Sequence, residues 1–288
     1  MAALPSGSAE AVAEAAQRLF GDSGWLEPAL DALAVGLAND PFFELPLPRL
    51  HSEIHDGILL FEDDKVSVAI GVTGADKLAV KKNVERDVAS IVFTGHMSVL
   101  KFIRSGEALL SFWEAPPIRS DFAASETSRC NPAGRRRLED GETLIVDGRF
   151  QSYVIEHASS DMIVLQASIK CGRAPLSVEY DSQTHEYVGC SATDDGASRI
   201  QMMATLLRKM ECAEALPVLE DLLGDPNFFV RWHVMREMLG LDAVAALPHL
   251  ACMAREDSHP DVRRAARGVL DRLVIQHPQL QERVPCRA

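Results

Sequence analysis

The sequence predicts an α+β fold with three segments: an N-terminal helical pair, an antiparallel β-barrel or sandwich, and a C-terminal run of helical repeats. Three observations carry this. Apolar residues recur with a helical period in the first forty positions, with a period near 2 from about 58 to 191, and with a helical period again from about 200 to 275. Turn signals cut the middle segment into short pieces. The last segment repeats itself. The expected boundaries are 1–45 for the helical pair, 50–192 for the β domain and 196–288 for the repeats.

Ser8 is placed to cap a first helix with Val12, Ala15, Ala16, Leu19 and Phe20 on one face, which Gly21-Asp-Ser-Gly24 ends. A second helix sets Leu26, Leu30, Leu33 and Leu37 along one stripe and stops at Asn39-Asp-Pro41. Pro46 and Pro48 mark an extended linker. Val66, Val68, Ile70 and Val72 then alternate with small or polar residues, as do Leu176, Val178 and Tyr180. Between them lie short apolar runs separated by Arg104-Ser-Gly106, Asp140-Gly141, Asp147-Gly148 and Ser159-Ser-Asp161. About ten short strands with tight connections read as a sandwich or barrel. Residues 120–137 have no clean period and are rich in Ser, Thr, Pro and Gly, so a long loop is expected there.

Beyond Asp195-Gly196, amphipathic helices are expected over 200–210, 213–223, 230–239, 244–254 and 262–275, with Asp194 or Asp195 as a cap. Ala215-Leu-Pro-Val-Leu219 recurs as Ala246-Leu-Pro-His-Leu250, and Asp225-Pro-Asn-Phe-Phe-Val-Arg231 recurs as Asp257-Ser-His-Pro-Asp-Val-Arg-Arg264. These residues resemble HEAT repeats in their short form, marked by Pro217 with Val230 and Arg231, and by Pro248 with Val262 and Arg263. Each helix pair is too small to fold alone, so neighbours stack around a shared core. The resemblance implies a protein-binding surface and bridging roles for Arg231 and Arg263.

The stretch Leu138-Glu-Asp-Gly-Glu-Thr-Leu-Ile-Val-Asp-Gly-Arg-Phe-Gln-Ser152 resembles a portion of a cupin barrel, with a Gly turn, an apolar strand, a tight turn and a second strand. Cupins carry a metal-binding histidine on that second strand, where Gln151 or Ser152 stands here. The resemblance therefore implies a barrel without bound metal or cofactor. A small ligand or peptide would sit at the barrel mouth beside Trp113, Gln151 and Tyr153.

Other constellations compete with this reading. A facial metal triad needs two histidines and a carboxylate. His51 and Glu53, with the distant His157, have a His-x-acid spacing similar to that of 2-oxoglutarate oxygenases, with Arg173 as a co-substrate anchor. A non-haem iron oxygenase is the alternative that this supports. His51 and His55 form a second spacing pair, while His96 and His185 have no partner spacing. Arg129 with Arg135, Arg136 and Arg137 is a basic loop that could take an anion. No nucleophile elbow, Walker loop or dinucleotide fingerprint occurs.

With 42 acidic and 29 basic residues the formal net charge is -13, which disfavours a nucleic-acid partner. The first residues lack the charged and apolar regions of a signal peptide, and no apolar run approaches a membrane span. Six scattered cysteines without a Cys-x-x-Cys pair read as reduced thiols, consistent with a cytoplasmic protein. The expected function is a non-catalytic interaction or ligand-sensing protein, with self-association as a homodimer a further option. Its partner-binding face on the repeats is expected at Trp232, Arg236, Arg264 and Arg267, because Trp and Arg are frequent interface hot spots.

Overall fold

A computed structural model describes residues 7–22, 24–40, 42–84, 90–119, 122 and 129–276. Among these residues two compact units separate, those within Met1–Ile118 and Ser125–Thr193, and those within Arg119–Ala124 and Asp194–Ala288.

The first unit begins with α1 (Ala9–Gly21) and α2 (Leu26–Asn39). The Ser8 hydroxyl accepts the Ala11 amide and caps α1, as its sequence expects. Strands β1 (Arg49–His51), β2 (His55–Glu62) and β3 (Val66–Thr73) follow, then α3 (Ala75–Val84). Next come β4 (Ser90–Phe93), β5 (Met97–Arg104), β6 (Leu109–Glu114), β7 (Asn131–Arg137), β8 (Thr143–Asp147), β9 (Gln151–His157), β10 (Met162–Ile169), β11 (Leu176–Asp181) and β12 (Tyr187–Ala192). They form a six-stranded antiparallel sheet in the order β1-β2-β3-β10-β5-β8, and two three-stranded sheets, β12-β11-β4 and β7-β6-β9. This is an antiparallel β domain.

Period-2 alternation gives the large sheet two different faces. Val66, Val68, Ile70, Val99, Leu165, Ala167 and Ile169 bury against Val12, Ala13, Ala16 and Phe20 of α1. On the other face Leu100, Phe102, Val146, Met162 and Val164 pack with Leu110, Phe112, Tyr153 and Ile155 from β6 and β9. Arg149 holds α1 from the side, donating to Glu10 and to Asp147. The burial of α2 fades along its leucine stripe, from Leu26 at 3% exposed to Leu37 at 53%.

Two elements differ from the sequence reading. The expected loop over 120–137 contains β7, paired along β6 from Leu109–Arg137 to Glu114–Asn131. Every residue of β7 is exposed, so this edge strand has no buried face to impose alternation. Helix α3 interrupts the stretch read as continuous β. It buries Leu78 but leaves Val80 62% exposed, so its described side chains form no apolar stripe of the kind that marks a helix in sequence.

The second unit holds α4 (Asp195–Lys209), a 3₁₀ turn at Ala213–Ala215, α5 (Leu216–Leu222), α6 (Phe228–Leu241), α7 (Ala243–Glu256) and α8 (Pro260–Gln276). Asp194 caps α4 and Asp242 caps α7 through the Val244 and Ala245 amides. The two repeat prolines sit differently. Pro217 starts α5 after the 3₁₀ turn, while Pro248 lies inside α7. Met235, Leu250, Met253, Ala254, Val262 and Ala266 form a core shared by α6, α7 and α8. That is the nearest-neighbour burial expected of stacked helical repeats. No helix of the described residues is long and apolar enough to cross a membrane.

Candidate functional site

The cavity of the β unit originates in β3. Its large residues face α1, which leaves Ser67, Ala69, Gly71 and Thr73 on the opposite face. Register places Gln166 beside Ala69, Ser168 beside Ser67 and Val164 beside Gly71. On the other flank Leu59 pairs with Ala69 and His55 with Thr73. The small residues Ser67, Ala69 and Gly71 leave an unfilled space of about 280 Å³, bounded also by Leu50, His55, Leu59 and Glu62.

The His55 imidazole lies across Gly71: a Cβ there would stand 2.3 Å from His55 Nε2. Its Nδ1 is 3.2 Å from the Thr73 hydroxyl. Burial lowers the His55 pKa below the ordinary 6.5, against the opposing pull of Asp56, and so favours the neutral ring. The Gln166 amide donates to the Ser168 hydroxyl at 2.9 Å. The Glu62 carboxylate is held by Lys170 at 2.6 Å.

The three residues expected at a barrel mouth are divided by register. Trp113 pairs with Ser152, whereas Phe112 pairs with Tyr153 and Glu114 with Gln151, so Trp113 points to the opposite face from Gln151 and Tyr153. Tyr153 packs into the apolar core, and burial raises its hydroxyl pKa. The Gln151 side chain accepts the Asp147 amide. Trp113 meets the His185 ring edge-on at 4.7 Å, and its buried indole N–H has no hydrogen-bond partner among the described residues.

The His51, Glu53 and His157 triad is not assembled. His51 Nδ1 lies 2.5 Å from Asp56, which also receives Lys77, and His157 ends β9 opposite Leu109. Among the described residues no three His, Cys, Asp or Glu side chains converge in the manner of a metal site. His96 bonds the Thr94 carbonyl. The basic residues of the β7 region each meet a carboxylate: Arg129 with Glu186, Arg135 with Glu156, Arg136 with Glu142 and Arg137 with Glu107.

In the helical unit, Arg231 is nearly buried and forms a two-point salt bridge with Asp257, while also donating to the Asp225 and Pro226 carbonyls. Arg263 donates to the Asp257 and Ser258 carbonyls. Both therefore join successive helices. Phe228 stacks on the buried His259 ring at 3.8 Å and 8°, so this aromatic at a helix start is a packing residue. Beside it, Phe229, Trp232, His233 and Arg236 of α6 line a groove of about 310 Å³ with Gln201 of α4 and Asp261, Val262 and Ala265 of α8. His233 donates from Nε2 to the Gln201 carbonyl at 3.0 Å, which fixes one wall. Glu237 below it is shielded by burial, yet the Arg208 and Thr205 hydrogen bonds hold its carboxyl below the ordinary range.

Of the four residues expected at the partner face, the structure brings two together. Trp232 and Arg236 share the groove. Arg264 pairs with Asp261, and Arg267 donates to the Ala254 carbonyl. Arg236 is exposed and has no ion pair or hydrogen bond among the described residues. Sequence reasoning did not single out the α4 face, where Met202, Leu206 and Met210 are 64%, 46% and 66% exposed at i, i+4 spacing. Nor did it find Ser67, Gln166 and Ser168, whose only signal was the small-residue alternation of β3.

A family model of HEAT repeats matches residues 192–271, in agreement with the helical unit. Solved structures similar to the chain include an ectoine synthase from P. lautus, at 11% identity and TM-score 0.26 over 42% of this chain and 68% of that one. A cupin domain from Bordetella pertussis Tohama I is similar at 12% identity and TM-score 0.25, over 42% of this chain and 99% of that one. Hydroxypropylphosphonic acid epoxidase from S. wedmorenis is similar at 11% identity and TM-score 0.27, over 44% and 58%. At such scores these likenesses carry no argument about activity or ligand. No protein of curated function matches the chain. The chain is thus an antiparallel β unit followed by a helical unit that is similar to HEAT repeats over residues 192–271.

Proposed function

We propose that this chain is a non-catalytic binding protein, whose cupin-like unit takes a small ligand and whose helical repeats dock a protein partner. The observation that carries the second half is the α6 groove. It combines aromatic surface from Phe229 and Trp232 with one exposed, unpaired cation, Arg236. Every other described arginine of α6–α8 that the repeat motif supplies, Arg231, Arg263, Arg264 and Arg267, is already committed within the unit. An aromatic pocket beside a free guanidinium suits a partner segment with an apolar anchor next to a carboxylate. The exposed Met202, Leu206 and Met210 add adaptable apolar surface on the same unit.

The acidic net charge and the carboxylate-paired β7 arginines support a protein rather than a nucleic-acid partner. The five described cysteines are unbridged, which fits a reducing, cytoplasmic setting. The test is co-purification from native extract with the full chain as bait, wild type against a folded Trp232→Ala, Arg236→Glu variant. The reading expects at least one stoichiometric partner with wild type that the variant loses. Equal recovery by both would remove the groove from the account.

A further inference from the structure

We infer that the space between β2, β3 and β10 is a binding site for a small, uncharged, hydroxyl-rich molecule such as a polyol or monosaccharide. This deepens the reading of the cupin-like unit as ligand-binding and rests on it.

The location follows from packing. Where β5 and β10 meet β6 and β9, the interior is filled by Leu100, Phe102, Leu110, Phe112 and Tyr153. An unfilled space lies where β3 presents Ser67, Ala69 and Gly71. At about 280 Å³ it falls just below the roughly 300–1,000 Å³ usual for small-molecule pockets, which limits the ligand to about a monosaccharide.

The ligand class follows from the lining. Among the described residues no lysine or arginine lines the space, so a carboxylate or phosphate would enter without a counter-charge. The one carboxylate, Glu62, is already neutralised by Lys170, so a cation gains little. The remaining polar groups are mixed. His55 keeps Nε2 beside Gly71, Gln166 keeps its carbonyl oxygen once its amide donates to Ser168, and Ser67 keeps a hydroxyl without a partner among the described residues. A hydroxyl both donates and accepts, so it satisfies either ring nitrogen state, the amide oxygen and a serine alike. Leu50, Leu59 and Val164 supply an apolar wall for the C–H face of such a molecule.

The test is ligand-observed NMR and calorimetry on the full chain with glycerol, erythritol, D-ribose and D-glucose, against glycerol phosphate and gluconate. At least one neutral probe should bind, with the anionic probes at least about 10-fold weaker. Removing one hydrogen-bonding group by Gln166→Leu should weaken it by about 10-fold. Filling the space by Ala69→Leu, or by the milder Ser67→Val, should abolish binding. A neutral probe that binds Ala69→Leu and Ser67→Val as well as wild type would remove this site while leaving the unit ligand-binding. Preference for an anionic probe would overturn the ligand class, and binding of no probe would overturn both readings.

Discussion

Arg231 and Asp257 face each other across successive helix pairs, with Nε–Oδ2 at 2.9 Å and a second guanidinium nitrogen–Oδ1 contact at 2.7 Å. Both side chains are nearly buried, at 9% and 4% exposed. Burial alone would raise the Asp257 pKa, but the Arg231 hydrogen bonds and the His259 amide outweigh it and hold the carboxyl below 3.8. A buried pair of this kind is expensive to break from one side, because the remaining charge stays desolvated. Arg231→Met should therefore cost about 3–5 kcal/mol in urea unfolding. Arg231→Met with Asp257→Leu should recover much of that loss. A single-variant loss below about 1 kcal/mol would show that the pair does not join the repeats.

The shared core of the repeats should be equally sensitive. Leu250 and Leu219 are fully buried, the former among Met235, Met253 and Val262. Truncating such a leucine costs about 2–5 kcal/mol, and a buried carboxylate adds to it. Leu250→Asp should abolish the cooperative melting of the helical unit, read by far-ultraviolet circular dichroism. An unchanged melting temperature would contradict stacking.

Helix α1 should behave as a member of the β unit's core rather than as an appendage. Phe20 is fully buried with Val12 against the large sheet. Phe20→Ala should destabilise that unit by about 3–5 kcal/mol. A loss confined to a few tenths would mean that α1 docks weakly.

Acid should weaken the β unit before its carboxylates titrate. Burial depresses the pKa of both His55 and His96 below 6.5 in the fold. Between the folded pKa and 6.5 the unfolded chain binds more protons, so stability falls as pH drops through that window. Thermal midpoints should decline from about pH 7.5 to about pH 5.5, and a folded His55→Gln, His96→Gln variant should decline less. Identical pH profiles would show that neither ring is buried neutral.

Much of the architecture was legible because it obeys simple periods. The change from period 2 to 3.6 near Asp195 locates the start of α4, and the Ala-Leu-Pro and Asp…Val-Arg repeats foretell α5–α8. The misses have physical causes. Strand β7 is exposed along its whole length, so no burial constrains its sequence. Among the described side chains of helix α3 only Leu78 is buried. The cavity was invisible because it is an absence: its shape comes from small residues on β3 meeting the sequence-distant Gln166 and Ser168 through register. Trp113 and Tyr153 looked like neighbours in a mouth, but an odd offset across β6 and β9 puts them on opposite faces. Trp232 and Arg236, four apart on one helix, were the easy case.

The central claim is that the repeat unit docks a partner through the groove at Trp232 and Arg236. A photo-crosslinking residue placed at position 236 of the full chain, in native cells, tests it most directly, with the same residue at exposed Val218 as the control. The account predicts a discrete adduct from position 236 that is lost when Trp232→Ala is added, and none from position 218. Adducts of equal yield from both positions, or none from position 236, would contradict it.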